Sequence, residues 1–363
     1  MPGKKTVIAS IVMGALSSVS AWAAEGAAFT AADRDAVVQT LAVKLKANYV
    51  MPAVGERLGA AIVKKNAVGA YASATTADAF SAALTRDLRV LGNDGHFSAR
   101  HDDNFREPTG DEARPSRAEI EAWREQVARS GFGIDKVERL PGNVGYIKLT
   151  RFGPSPFVGS AYTAAMALMD GTDALILDLR SNKGGSSESV AYLMSHFFPQ
   201  GDVRHLNDMV FRESNSTEQT WTVGAVAQRY DKPVYVLVSP RTFSAAEECA
   251  YDFQTQKRGT VVGETTAGAA NPPRPFSVGR GIVAVIPVGQ SINPITKTSW
   301  EHVGVKPDIA VPPALAQQAA HAAILRSLLA SAKDEPQRAS LQSILAMVEK
   351  GETEAPDYSV RKN

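Results

Sequence analysis

From about residue 132 onward, short β-branched runs bounded by Gly, Pro or Asn alternate with helical stretches, and this alternation constrains the fold more than any other feature. The runs are "NVGYIKLTRF", "DALILDLR", "KPVYVLVS", "GTVVGET" and "GIVAVIPV"; "SSESVAYLMSHFF" and "SAAEECAYDFQTQK" read as helices between them. Strand–loop–helix units of this kind specify an α/β core whose strands are buried on both faces. Within it, "KPVYVLVSPRTFSAAEECA" places one hydroxyl, Ser244, behind a strand and at the mouth of a helix. Serine there has two readings, a helix cap or a nucleophile set where a helix N-terminus favours negative charge.

Ahead of the core the texture is helical. Thr30 and Asp33 open a segment with Val37, Leu41 and Leu45 at fourfold spacing; "AVGERLGAAIVKK" and "TADAFSAALTRDLRVLG" give two more amphipathic stretches. Three antiparallel helices in a small bundle are expected. The polar segment "NDGHFSARHDDNFREPTGDEARP" reads as a loop, and Ser116 with Glu119 forms a capping box for a helix over 117–129. After Pro312-Pro313 the chain reads as helical again. The expected organisation is a signal peptide over 1–23, a helical bundle domain over 28–130, an α/β domain over 132–315 and a helical tail over 316–363.

With 39 Lys and Arg against 38 Asp and Glu, no broad field draws in nucleic acid, and no basic stripe with interleaved aromatics is present. Lys4 and Lys5, the apolar run that follows and Ala21-Trp22-Ala23 have the layout of a secretory signal, with cleavage expected after Ala23. Gly14, Ser17, Ser18 and Ser20 interrupt the run, so no stable membrane anchor is expected, and the destination read from the sequence is the periplasm. Cys249 is the single cysteine, which excludes an intramolecular disulfide and cysteine-rich zinc clusters; HExxH is absent as well. No metal or cofactor is expected.

Two further places can carry chemistry beside Ser244. "DALILDLRSNKGGSSES" ends a strand in Asp178-Leu179-Arg180 and turns through Asn182, Gly184 and Gly185 into a helix. Paired glycines let backbone N–H groups approach a ligand, as a plain turn also would, and with the N–H of Ala245 they form a candidate oxyanion hole. Of the six histidines, His96 lies in the loop "GNDGHFSARH", flanked by small residues, where it is either solvated or a general base reaching a cleft. Glu301, in "TSWEHVGVKPDIAVP", is a candidate orienter for that histidine.

The stretches "GNDGHFS", "GNVGYIKLTRF", "LILDLRSNKGG", "RTFSAAEE", "GTVVGETTAGAA" and "WEHVGVKPDI" resemble, in order, the tail-specific or carboxy-terminal-processing serine peptidases. The nearer likeness is to the branch holding the tricorn core protease and the modules of interphotoreceptor retinoid-binding protein. The resemblance implies a crotonase-like ββα-spiral core after a helical N-terminal domain. It implies Ser244 as nucleophile and an oxyanion held by Ala245 and a glycine of Gly184-Gly185. Where the processing proteases carry a catalytic lysine, this chain has Ala269, and the SxxK match at Ser359 and Lys362 falls in the terminal tail. The tricorn-like branch instead uses a histidine, a neighbouring serine and a later glutamate. His96 and Glu301 match two of these, and Gly95 replaces the serine, leaving Ser98 or Glu301 to orient the imidazole. No PDZ-like segment precedes the core.

These expectations amount to an exported serine peptidase acting on peptides or proteins. The alternatives are a binding protein for apolar, retinoid- or lipid-like ligands on the same fold, or a serine esterase. A crotonase-type acyl-CoA enzyme ranks last because the chain carries an export signal. Substrate specificity and oligomeric state are not readable from the residues.

Overall fold

The computed structural model describes residues 29–107, 115–224 and 226–352. The expected signal peptide and the Ser359/Lys362 pair lie outside these residues. The chain opens with α1 (Ala31–Asn48), α2 (Pro52–Ala67) and α3 (Ala77–Gly92). Thr30 and Asp33 cap α1 reciprocally, Pro52 sits in the first turn of α2, and Thr76 caps α3 by accepting the N–H of Ala79. Leu41, Leu45, Leu58, Ile62, Phe80 and Leu84 fill the space between the three helices. α2 packs closely on α1 at Gly59, where a Cβ would stand 2.9 Å from the Cα of Ala42.

Next come β1 (Ser98–His101), α4 (Arg117–Arg129), β2 (Ile134–Leu140), β3 (Val144–Leu149), α5 (Ser155–Met169), β4 (Ala174–Asp178) and α6 (Ser187–Met194). A hairpin of β5 (His205–Phe211) and β6 (Ser216–Trp221) precedes β7 (Val234–Val238), α7 (Ala245–Thr255) and β8 (Thr260–Gly263). The remaining elements are β9 (Pro273–Ser277), β10 (Ile282–Pro287), β11 (Gly289–Ile292), β12 (Ile309–Ala310), α8 (Ala316–Ala330) and α9 (Glu335–Glu349).

The main sheet runs β12-β8-β7-β4-β3-β2, parallel throughout except for the antiparallel edge strand β2. One face packs on α5, α6 and α7 through Leu175, Leu177, Val236 and Phe253; the other is covered by α8 through Val144, Ile176, Leu237 and Ile324. Burial on both faces explains why β4 and β7 are continuous apolar runs. This is the α/β core with helical N-terminal region that the sequence predicts.

Two small antiparallel sheets, β1-β10-β9 and β11-β5-β6, tie the bundle to the core. Phe276, Ile282, Ala284 and Ile286 share one apolar cluster with the bundle, although the sequence groups them with the α/β unit. α4 packs beside α5 and the 3₁₀ turn at Gly131–Gly133, on the core rather than in the bundle. The sequence reading also passes over α5, because "SPFVGSAYTAAMALM" is apolar nearly all round and shows no polar face to mark a helical period.

Candidate active site

β4 and β7 are adjacent parallel strands, so the turns leaving their carboxyl ends lie side by side, the usual ligand position in an α/β sheet. Side-chain and backbone bonds stitch the two turns together. Thr242 Oγ1 donates to the carbonyl of Leu179 (2.9 Å), Ser239 Oγ to that of Arg180 (2.6 Å), and the Phe243 N–H to that of Asn182 (3.1 Å). Asp178 and Arg180 belong to this scaffold. Arg180 clasps the Asp178 carboxylate, which also accepts from the Tyr146 hydroxyl, and reaches the carbonyl of Pro313 ahead of α8.

Ser244 stands at the N-cap position of α7 with φ 57° and ψ −127°. A non-glycine residue held at such a conformation costs about 1–3 kcal/mol and requires support from its surroundings. Its Oγ lies 3.0 Å from Nε2 of His96, contributed by the loop between α3 and β1. The N-cap amide is instead served by Glu247, whose carboxylate accepts the Ser244 N–H at 2.8 Å. The same buried carboxylate accepts from Thr266 Oγ1 (2.6 Å), the Gly268 N–H (2.6 Å) and the Ala269 N–H (3.0 Å). Glu247 therefore locks the Ser244 turn to the loop after β8, and Ala269 is a buried structural residue there.

Gly184 and Gly185 have φ of +81° and +143°, and a Cβ on Gly184 would lie 2.7 Å from the Ser244 Cβ. The two amides differ in availability. Gly184 donates its N–H to Asn182 Oδ1 at 2.8 Å, so its part is to make room rather than to hold an anion. The amides of Gly185 and Ala245 have no acceptor among the described residues; Ala245 follows Ser244 directly, and Gly185 follows the Gly184 that packs on it.

Behind His96 stand two carboxylates. Asp94 Oδ1 accepts the His96 backbone N–H at 2.9 Å and lies 3.8 Å from its Nδ1. Asp94 is itself fixed by Asn271 Nδ2 (3.1 Å) and the Tyr49 hydroxyl (3.4 Å), the latter reaching in from the end of α1. Glu301 Oε2 accepts the N–H groups of Ala270 (2.5 Å) and Asn271 (3.0 Å), leaving Oε1 buried without a hydrogen bond, 3.5 Å from His302 Nδ1; His96 Nδ1 is likewise buried without one. Asp94, His96 and Glu301 each bring one polar atom within 4.8 Å of the others. The sequence reading missed Asp94; the signal was an acid two residues before the histidine, where an Asx turn forms. Ser98 makes no hydrogen bond to His96 among the described residues. Gly95 fits because a Cβ there would stand 3.0 Å from the Phe243 ring.

Residues 143–311 match the model of peptidase family S41. The chain is 28% identical over 191 residues to a carboxyl-terminal-processing protease of Synechocystis sp., covering 52% of this chain and 43% of that protein. It is 31% identical over 182 residues to the chloroplastic carboxyl-terminal-processing peptidase 2 of Arabidopsis thaliana, covering 48% and 34%. The chain thus aligns with less than half the length of these relatives. A solved lipoprotein structure from Streptococcus agalactiae shares the fold with a TM-score of 0.51 at 13% identity, over 81% of this chain and 96% of that one.

The electrostatics of this site follow from its burial. Desolvation pulls the His96 imidazole down to about 4, against the pull of Asp94, so the ring is neutral at pH 7. Burial and the neighbouring Asp94 charge push the Glu301 carboxyl up to about 7. The same trio has the chemistry of a metal-ligand set, with one imidazole nitrogen and two carboxylates. Its contact with the Ser244 hydroxyl through the other ring nitrogen is what a nucleophile–base pair requires. Of the other described histidines, His302 borders the site, its Nδ1 3.5 Å from Glu301 Oε1 and 3.3 Å from Asn93 Nδ2, while His101 faces Asp78 and Asp103, His196 contacts Thr163 and the carbonyls of Tyr192 and Leu193, His321 the Pro141 carbonyl, and His205 stacks on Trp221. Cys249 is buried and its thiol is pushed up by desolvation, an inert packing residue.

Proposed function

We propose that this protein is a serine peptidase that hydrolyses peptide bonds through an acyl-enzyme on Ser244. The 3.0 Å contact between Ser244 Oγ and His96 Nε2, made by a serine held at positive φ, carries the reading. Neutral His96 takes the hydroxyl proton as Oγ attacks the carbonyl and returns it to the leaving amine. Glu301 and Asp94 favour the imidazolium formed in between and fix which ring nitrogen carries the proton. The free amides of Gly185 and Ala245 stabilise the tetrahedral oxyanion, a contribution of about a hundredfold or more in rate per donor. The match of residues 143–311 to the S41 family model and the processing-protease relatives support peptides or proteins as substrates. Export to the periplasm is part of the proposal and rests on Lys4, Lys5 and the Ala21-Trp22-Ala23 site. Among the described residues no helix is long and apolar enough to cross a membrane.

The test is labelling of the protein with a fluorophosphonate probe and mapping of the modified residue by mass spectrometry. Adduct on Ser244, slowed in His96→Ala, is the expected result. A folded protein that takes up no probe overturns the reading and directs the search to apolar ligands.

A further inference from the structure

A cavity of about 720 Å³ opens beside the oxyanion turn, walled by Trp123 and Val127 of α4, Phe132, Arg151, Phe152 and Gly185. We propose that it takes the side chain of the residue whose carbonyl Ser244 attacks, and that it selects a large apolar side chain and rejects a cationic one. The inference rests on the reading of Ser244 as nucleophile.

Its first support is continuity. Gly185, whose amide is free to face the oxyanion, pairs with Phe152 as an isolated bridge, and a Cβ on Gly185 would collide with the Phe152 carbonyl. One backbone therefore forms both the anion-binding edge and the cavity wall. The second support is direction. His96 must deliver a proton to the leaving amine, so the leaving group lies on its flank of Ser244. Neither His96 nor Phe243, against which its ring packs at 4.8 Å, borders the cavity. The cavity is therefore not on the leaving-group side, and its link to the site through Gly185 assigns it to the acyl part of the substrate.

The third support is chemistry. The volume falls within the roughly 300–1,000 Å³ of ligand pockets. α4 has no buried residue, and Trp123 leaves 48% of its surface exposed, although the helix is capped by Ser116 and Glu119 and seated through Val127 against the core. An exposed aromatic on such a helix gains about 25 cal/mol for each Å² that a ligand covers. Arg151 is the one charged residue on the wall, is exposed, and has no ion pair among the described residues.

Peptidyl diphenyl phosphonates test this directly, because the side chain beside phosphorus occupies the acyl position once Ser244 is phosphonylated. Analogues carrying Phe, Leu, Ala and Lys side chains are compared with a plain alkyl fluorophosphonate on the wild type, Gln126→Trp and Arg151→Glu. The expected order is Phe and Leu faster than Ala by about tenfold or more, with Lys slowest. Gln126→Trp, which fills the mouth of the cavity, should erase the Phe and Leu advantage while alkyl labelling persists. Arg151→Glu should raise the Lys analogue above Ala, a gain that misfolding cannot mimic. Alkyl labelling of Ser244 with no side-chain preference, or preferences unmoved in both variants, overturns the pocket and leaves the nucleophile standing. Loss of alkyl labelling in the wild type overturns both.

Discussion

Glu247 accepts the backbone N–H of Ser244, three residues before it, at 2.8 Å, which is the part of a capping box that the N3 residue supplies to the start of α7. The serine hydroxyl is released to His96. The two readings the sequence offers, cap or nucleophile, thus meet in one helix turn, and the proposed function takes the second.

Both Glu247 oxygens accept twice: Oε1 from Thr266 and Gly268, Oε2 from Ser244 and Ala269. Glu247→Gln would turn an NH₂ group toward two N–H or O–H donors, so it should be nearly as damaging as Glu247→Ala. Urea denaturation should show both variants destabilised by about 2–4 kcal/mol, and fluorophosphonate labelling should slow in both. A Gln variant with wild-type stability would mean that the clamp is not what holds the turn.

The pH dependence should be set by Glu301 rather than by the histidine. His96, held near 4, is already neutral across the neutral range, whereas Glu301 ionises only at about 7. The Ser244 labelling rate should therefore rise with pH up to about 7 and flatten above it, and Glu301→Gln should be slower with that limb removed. Because the folded-state value is raised, the native protein binds the extra proton between about 4.5 and 7, and this group's contribution to stability is lost as pH rises through that window. Glu301→Gln should thus be more stable than the wild type at pH 8 and not at pH 4. Persistence of the limb in the Gln variant would assign it to another group.

Asp94 and Glu301 should not be equivalent. Asp94 holds the His96 backbone as well as facing its ring, and it is tied to Asn271 and Tyr49; Glu301 is anchored by two backbone amides through one oxygen, and its other oxygen makes no hydrogen bond and lies 3.5 Å from His302 Nδ1. Asp94→Ala should lower both labelling rate and melting temperature. Glu301→Gln, whose amide oxygen can keep the bonds from Ala270 and Asn271, should lower the rate, by about a hundredfold or more if the carboxylate's role is to hold the imidazolium, with little thermal cost. Equal loss of stability in the two variants would contradict the division.

The parts legible in the sequence are those whose cause is local. β4, β7 and the glycine turn announce themselves within a dozen residues each, and the Ser116–Glu119 capping box marks α4 to the residue. The unread parts depend on partners far along the chain. Glu247 reads as an ordinary acid in a first helical turn, and its role comes from Thr266, Gly268 and Ala269 some twenty residues later. Gly184 and Gly185 look interchangeable until Asn182 claims one amide. Asp94 gains its meaning from Tyr49 and Asn271, on two other elements. The placement of β9 and β10 against the bundle likewise follows from packing that no local pattern encodes.

The strain at Ser244 gives a last expectation. Its φ of 57° is retained by any side chain placed there, and glycine alone adopts positive φ without a Cβ penalty. Ser244→Ala and Ser244→Gly both remove the hydroxyl and leave His96 Nε2 without its partner, so that loss cancels between them. The difference isolates the backbone: Ser244→Gly should be the more stable by about 1–2 kcal/mol in urea denaturation, offset in part by the greater freedom of glycine in the unfolded chain. Both should fail to label. An alanine variant as stable as the glycine variant would show that the turn relaxes once the hydroxyl is gone, placing the strain in the Ser244–His96 contact instead of in the nucleophile's backbone.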